Sequence, residues 1–191
     1  DVYKRQKKYI MKFTTNNYFK SHERLFNLID KKTIDRSIEL ITKKYQKGSK
    51  IITCGNGGSA HTASHYITDW NKMIYLATGK QFKGVSLCDN IGMITAYAND
   101  VNYNEIFSGQ LTSILDDDDL LIAVSGSGNS ENVLNAVEFA NRNGADTLAI
   151  VGYDGGKLKK MAKYNFWVPS FDMQLCEDIH LMFGHMTMKA L

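Results

Sequence analysis

Leu120-Leu-Ile-Ala-Val124, then Ser125-Gly-Ser-Gly-Asn-Ser130, then Glu131 to Arg142, is the stretch on which the fold turns. The apolar run lies between an acidic turn, Asp116 to Asp119, and a Gly/Ser loop. It reads as a strand buried on both faces. The segment after the loop is helical in composition and stops at Asn143-Gly144, a C-cap signal. A strand of continuous apolar residues that feeds a helix belongs to a parallel sheet covered on both sides.

The unit recurs in both directions. Upstream, Lys50-Ile-Ile-Thr-Cys54 ends in Gly55-Asn-Gly-Gly58 and leads to a helix over Ala60 to Ala77. Phe82 to Leu87 is a second strand, with helices expected over Asp89 to Ala98 and Asn104 to Leu115. Downstream come a strand over Asp146 to Val151, a short helix from Asp154-Gly-Gly156 to Ala162, a strand over Asn165 to Val168 and a final helix over Gln174 to Leu191. Two amphipathic helices precede all of this. Phe19 to Ile29 sets Phe19, Leu25, Phe26 and Ile29 on one side, and Thr33 to Tyr45 carries Ile34, Ile38, Ile41 and Tyr45 at helical spacing. The prediction is an α/β three-layer sandwich, a five-stranded parallel sheet between helices, preceded by N-terminal helices. Ligands of such sheets bind at the carboxyl ends of the strands, where both Gly/Ser loops fall.

Composition narrows the class. The 191 residues are 43% hydrophobic and 23% charged, enough for one domain with a real core. Net charge is +3 with Lys and Arg spread out, which argues against a nucleic-acid arm. No apolar run is long enough to span a bilayer. Cys54, Cys88 and Cys176 are odd in number and widely spaced, so neither a disulfide framework nor a CxxC zinc knuckle is expected. That usage fits a reduced, cytoplasmic protein. Asp1 to Ile10 is basic and without period; the reading takes Met11 as the true start, residues 1–11 as a loose or artefactual tail and 12–191 as a single domain.

Three features carry chemistry. The first loop ends in Gly57-Gly58-Ser59 where a helix begins, so backbone N–H groups can approach an anion; Ser59 as a plain N-cap is the competing reading. No Lys follows, so it is not a Walker loop. The second loop offers Ser125, Ser127 and Ser130 with two glycines, hydroxyls and amides suited to a phosphate monoester. The third feature is titratable. His61, His65 and Asp69 share one helix face, and Glu177 and His185, with His180 nearby, share another. Metal ligation and an ordinary polar or core role both remain open for them, and nothing in the spacing shows that the two helices meet.

Taken together, Cys54-Gly-Asn-Gly-Gly-Ser59 with His65, Ser86-Leu-Cys-Asp-Asn90, Ala98-Asn-Asp100, Val124-Ser-Gly-Ser-Gly-Asn-Ser130, Gly152-Tyr-Asp-Gly-Gly-Lys157 and Glu177-Asp-Ile-His-Leu181 with His185 resemble the sugar isomerase (SIS) domain family, in its phosphoheptose isomerase branch. The motifs keep the family order over nearly the whole chain. The resemblance implies a flavodoxin-like sheet and an aldose–ketose isomerase that converts D-sedoheptulose 7-phosphate to D-glycero-D-manno-heptose 7-phosphate. It implies substrate contacts from Asn56, Gly57, Gly58, Ser59, Asn99, Asp100, Ser125, Gly126, Ser127, Ser130 and Glu177. It also implies one zinc ion held at His65, Asp69, Glu177 and His185, with Asp69 and His185 as proton-transfer groups, and a homotetramer with sites between subunits. No nucleic-acid or membrane partner is implied. Two positions depart from the family pattern: Asp69 stands where it has Glu, and Glu177 where it has Gln. Gln174 also replaces a family acid. The alternative is a non-catalytic SIS domain that binds or senses a sugar phosphate.

Overall fold

A computed structural model describes residues 13–191; the tail expected over 1–11, including Met11, lies outside the described residues. In chain order the elements are α1 (Thr15–Leu28), α2 (Lys31–Lys47), β1 (Ile51–Gly55), α3 (Gly58–Thr78), β2 (Gly84–Ser86), α4 (Ile91–Asp100), a 3₁₀ turn (Tyr103–Glu105), α5 (Ser108–Leu111), β3 (Leu120–Ser125), α6 (Glu131–Arg142), β4 (Asp146–Val151), α7 (Leu158–Met161), β5 (Tyr164–Trp167) and α8 (Met173–Ala190). The five strands form one sheet in the order β2-β1-β3-β4-β5, and every pairing is parallel.

Side-chain alternation along these strands builds two cores from one sheet. Leu120, Ile122 and Val124 of β3 face one cluster with Leu148 and Ile150 of β4, under Ile41 of α2, Tyr66 and Trp70 of α3 and Phe183 of α8. Leu121, Ala123, Ala149 and Val151 face the other, under Val133, Ala136, Val137 and Ala140 of α6 and Leu111 of α5. With helices on both faces, neither set of strand positions meets water, so no polar alternation survives. Each fully buried Ile, Leu or Val stabilises the fold by roughly 1.5–3 kcal/mol relative to exposure.

The expected elements are present, with local corrections. The second strand is three residues rather than six. The helix expected over Asn104 to Leu115 is instead a 3₁₀ turn followed by the four residues of α5. Ile106, Phe107 and Leu111 are all buried there, and a Cβ on Gly109 would lie 2.2 Å from the Tyr97 ring, so packing rather than helical period shapes the segment. Ser59 is not an N-cap: α3 is capped by Gly57 at φ +55° and starts at Gly58, which leaves Ser59 inside the first turn. The α4 helix is apolar, yet none of its residues is buried. No described helix is long and apolar enough to cross a membrane.

Candidate active site

From β1 the chain crosses to β2 on one side, and from β3 to β4 on the other. The carboxyl ends of β1 and β3 therefore flank the crevice where connections diverge, the usual ligand position in open parallel sheets. Both Gly/Ser loops open into it. The helices that follow, α3 and α6, point their N-termini and unpaired N–H groups at the same space. Neither has a side-chain cap: Gly57 has no side chain to offer, and the Ser130 hydroxyl accepts no capping hydrogen bond from the first turn of α6. Ser125 Oγ accepts from Gly128 N at 3.1 Å and Ser127 Oγ from Asn129 N at 3.3 Å, which folds the second loop back on itself.

A cavity of about 140 Å³ results, lined by Asn56, Ser59, Ser125, Gly126, Ser127 and Ser130 together with Val124, Tyr153, Met173 and Glu177. No Lys or Arg lines it, so an anion would be held by amides, hydroxyls and helix ends. Glu177 is the exception in charge. Its carboxylate lies against the start of α3, where a Cβ on Gly58 would come within 2.6 Å of Oε1. Burial holds the Glu177 pKa above the usual carboxylate range, and neighbouring Asp178 adds to the shift.

Two turns further along α3 and α8 lies a second cluster. His65 Nε2 is 3.0 Å from His185 Nε2 and 3.3 Å from Asp69 Oδ2, and His185 Nε2 is 3.9 Å from that same oxygen. Helix contacts bring them together. Tyr66 lays its ring on Gly184, where a Cβ would sit 2.3 Å away, and Trp70 Nε1 donates to the Gly184 carbonyl at 3.1 Å. The Tyr66 hydroxyl donates to the His180 carbonyl. Each histidine of the pair thus adjoins a residue of the contact that joins the two helices.

The trio fits a divalent metal. One ligand atom from each of His65, Asp69 and His185 lies within 4.8 Å of the others. Zinc–nitrogen bonds of about 2.0–2.1 Å at tetrahedral angles separate ligand atoms by roughly 3.3 Å, close to the spacing here. Two imidazoles and a carboxylate are a common catalytic zinc set with one position left open. Glu177 does not join this group.

A family profile for the SIS domain matches residues 17–152. The chain belongs to the SIS-domain family. It is similar to the phosphoheptose isomerase of Aliarcobacter butzleri, with 34% identity over 152 residues and 80% of each chain covered. It is 35% identical to the phosphoheptose isomerase of Helicobacter pylori strain P12 over 158 residues, covering 83% of this chain and 82% of that one. The solved phosphoheptose isomerase from Neisseria gonorrhoeae superposes with a TM-score of 0.84 at 28% identity, covering 92% of this chain and 95% of the other.

In this SIS domain the expected site residues fall into three groups. Asn56, Ser59, Ser125, Gly126, Ser127, Ser130 and Glu177 line the cavity; Gly57 and Gly58, between Asn56 and Ser59 at the start of α3, are not among its lining residues. His65, Asp69 and His185 form the second cluster. Asn99 and Asp100 are exposed at the end of α4, bonded to each other at 2.8 Å, and do not line the cavity. His61 is exposed on α3, its Nδ1 3.0 Å from the Gly57 carbonyl. His180 is fully buried, and burial pushes its pKa down to about 4 against a smaller upward pull from the Val151 carbonyl. Sequence reasoning missed Tyr153 and Met173 in the lining and Asn132 behind it. Tyr153 is a non-glycine residue at φ +48°, in the turn after β4 that also meets the crevice. Its place after a strand at the ligand edge was a usable signal.

Proposed function

We propose that this SIS domain is a phosphoheptose isomerase, an aldose–ketose isomerase that interconverts D-sedoheptulose 7-phosphate and D-glycero-D-manno-heptose 7-phosphate. The observation that carries the reading is the convergence of His65, Asp69 and His185 beside an anion cavity on the same two helices. His65 lies six positions after Ser59 on α3, about 9 Å of helix rise. An open-chain sugar with phosphate at one end and carbonyl at the other suits two such seats. A domain that only binds sugar phosphate has no need of the second.

The two loops and the N-termini of α3 and α6 bind the phosphate and orient the chain. The Asp69 carboxylate, or His185 sharing that duty, takes a proton from C1 of the ketose and returns it to C2, while the proton on the C1 oxygen passes to the C2 oxygen, giving the aldose. His65, Asp69 and His185 would hold a divalent ion, read here as zinc, which when bound would supply Lewis acidity to the reaction. Glu177 is assigned to the substrate side of the same site and, in the four-ligand reading, to the ion. The reading also takes residues 12–191 as one domain and the protein as cytoplasmic, which the three free cysteines suit. It further includes a homotetramer, supported by the unburied apolar α4 and by Phe19 at 63% and Leu28 at 67% exposure on α1. Asn99 and Asp100 are assigned to substrate contact in a site completed between subunits.

The test is turnover of sedoheptulose 7-phosphate by purified protein, with metal content measured on the same sample. Protein that binds the sugar phosphate and never isomerises it, with or without added zinc, leaves the binding-only alternative.

A further inference from the structure

The Asn56 side chain has four hydrogen-bonding positions, two acceptor lone pairs on Oδ1 and two N–H donors on Nδ2. Three are committed. Asn56 Nδ2 donates to Asn132 Oδ1 at 2.8 Å, and Asn132 Nδ2 donates back to Asn56 Oδ1 at 2.9 Å. The Tyr103 hydroxyl donates to the same Oδ1 at 3.0 Å. Oδ1 is thereby saturated, and one N–H of Asn56 is left for the cavity that the residue lines. Asn132 is only 2% exposed, whereas Tyr103 comes from the 3₁₀ turn and is 55% exposed.

The amide pair alone does not decide which atom faces the cavity. Turning both amides over together restores the same two hydrogen bonds and would present a carbonyl oxygen, which repels an anion. The tyrosine breaks the tie. A phenol donates better than it accepts, because its lone pair is delocalised into the ring, so it favours the orientation with Oδ1 toward it. We infer that Tyr103 and Asn132 are positioning residues: they lock the Asn56 amide with its free N–H toward the phosphate, and so tie the segment after α4 to anion binding. The inference rests on the sugar-phosphate reading of the cavity and goes beyond it by assigning the amide's orientation to two residues outside the lining.

Tyr103→Phe is the decisive variant, because Tyr103 is exposed and its ring is retained. Loss of this one hydrogen bond should raise KM for sedoheptulose 7-phosphate and the inhibition constant of inorganic phosphate together, by about three- to tenfold, with kcat little changed. Asn56→Asp, which has no N–H to offer, should raise both by more than tenfold. The Asn56 side-chain NH₂ signals of ¹⁵N-labelled protein should shift on phosphate addition in the parent chain and shift less in Tyr103→Phe, a readout independent of turnover. Asn132→Leu should act like Tyr103→Phe if it folds; if it does not, Tyr103→Phe alone decides. If the parent chain binds phosphate and the Tyr103→Phe constants and NH₂ shifts match it, the positioning role is overturned and the cavity reading stands. If the parent chain binds neither phosphate nor sugar phosphate, the cavity reading fails and takes the inference with it.

Discussion

His65 and His185, 120 residues apart in the chain, bring their Nε2 atoms to 3.0 Å, and Asp69 Oδ2 lies 3.3 Å from the first. Uncoordinated, such a pair needs one ring to donate to the other; around a cation, both lone pairs and the carboxylate point inward. His65→Ala should therefore strip bound metal and turnover while leaving the unfolding temperature nearly unchanged, since the His65 side chain is 40% exposed. Asp69→Asn should keep the fold and lose roughly 10²–10⁴-fold in kcat, the usual size of a general-base contribution. Metal affinity should fall on acidification, because protons compete with the ion for the ligand lone pairs. Elemental analysis beside a rate assay checks all three, and full activity in a metal-free His65→Ala chain would sink the assignment.

Glu177 places a carboxylate in a cavity whose other lining residues carry no charge, and its pKa is raised by burial and by Asp178. The charged form opposes a phosphate dianion. As pH falls through that raised pKa, Glu177 takes up a proton and the opposition disappears. Glu177→Gln should bind inorganic phosphate at least about tenfold more tightly at pH 8, since tenfold needs only ~1.4 kcal/mol of relieved repulsion, less than the roughly 4 kcal/mol between two unit charges 4 Å apart at an effective dielectric near 20. The gap between parent and variant should close toward acid pH. Calorimetric titration at several pH values measures both, and an equal affinity at pH 8 would place the carboxylate outside the anion's reach.

His180 is buried with its pKa held near 4, against an unperturbed value of 6.5. The unfolded chain therefore binds a proton that the folded chain does not between those two values. Stability is complete above about pH 6.5 and declines as pH drops toward 4, by at most roughly 3 kcal/mol from this residue. Urea unfolding of the parent and His180→Phe between pH 4 and 7 is the check: the variant should show the shallower slope, and parallel slopes would assign the acid sensitivity elsewhere.

The α4 helix buries none of its residues, and Ile91 is 73% and Val101 58% exposed at its two ends. An apolar helix left this open is expected to be covered by another copy of the chain. Light scattering at micromolar concentration should return an assembly, with four chains the expected number. Ile91→Asp should shift it toward smaller species. A monomeric parent chain would remove the oligomer from the reading.

The parallel α/β class was legible in the residues alone, because continuous apolar runs such as Leu120 to Val124 persist only where both strand faces are covered. The sequence also located both Gly/Ser loops whose residues line the cavity, since Gly and Ser at strand-to-helix junctions act through local backbone geometry that needs no partner. Strand order was not legible: which neighbour a strand chooses depends on how helices cross the sheet, and only the β2-β1-β3 order puts the loops after β1 and β3 at one crevice. The long helix expected over Asn104 to Leu115 failed for a related reason, because burial of Ile106, Phe107 and Leu111 overrode its local propensity. The metal trio divides the same way. The i, i+4 spacing of His65 and Asp69 is a property of one helix, but the meeting of His65 with His185 depends on Tyr66 and Trp70 seating against Gly184, a contact between segments far apart in the chain. Packing at that one glycine, where no side chain intervenes, is what lets α3 and α8 approach closely enough for their polar groups to share a site.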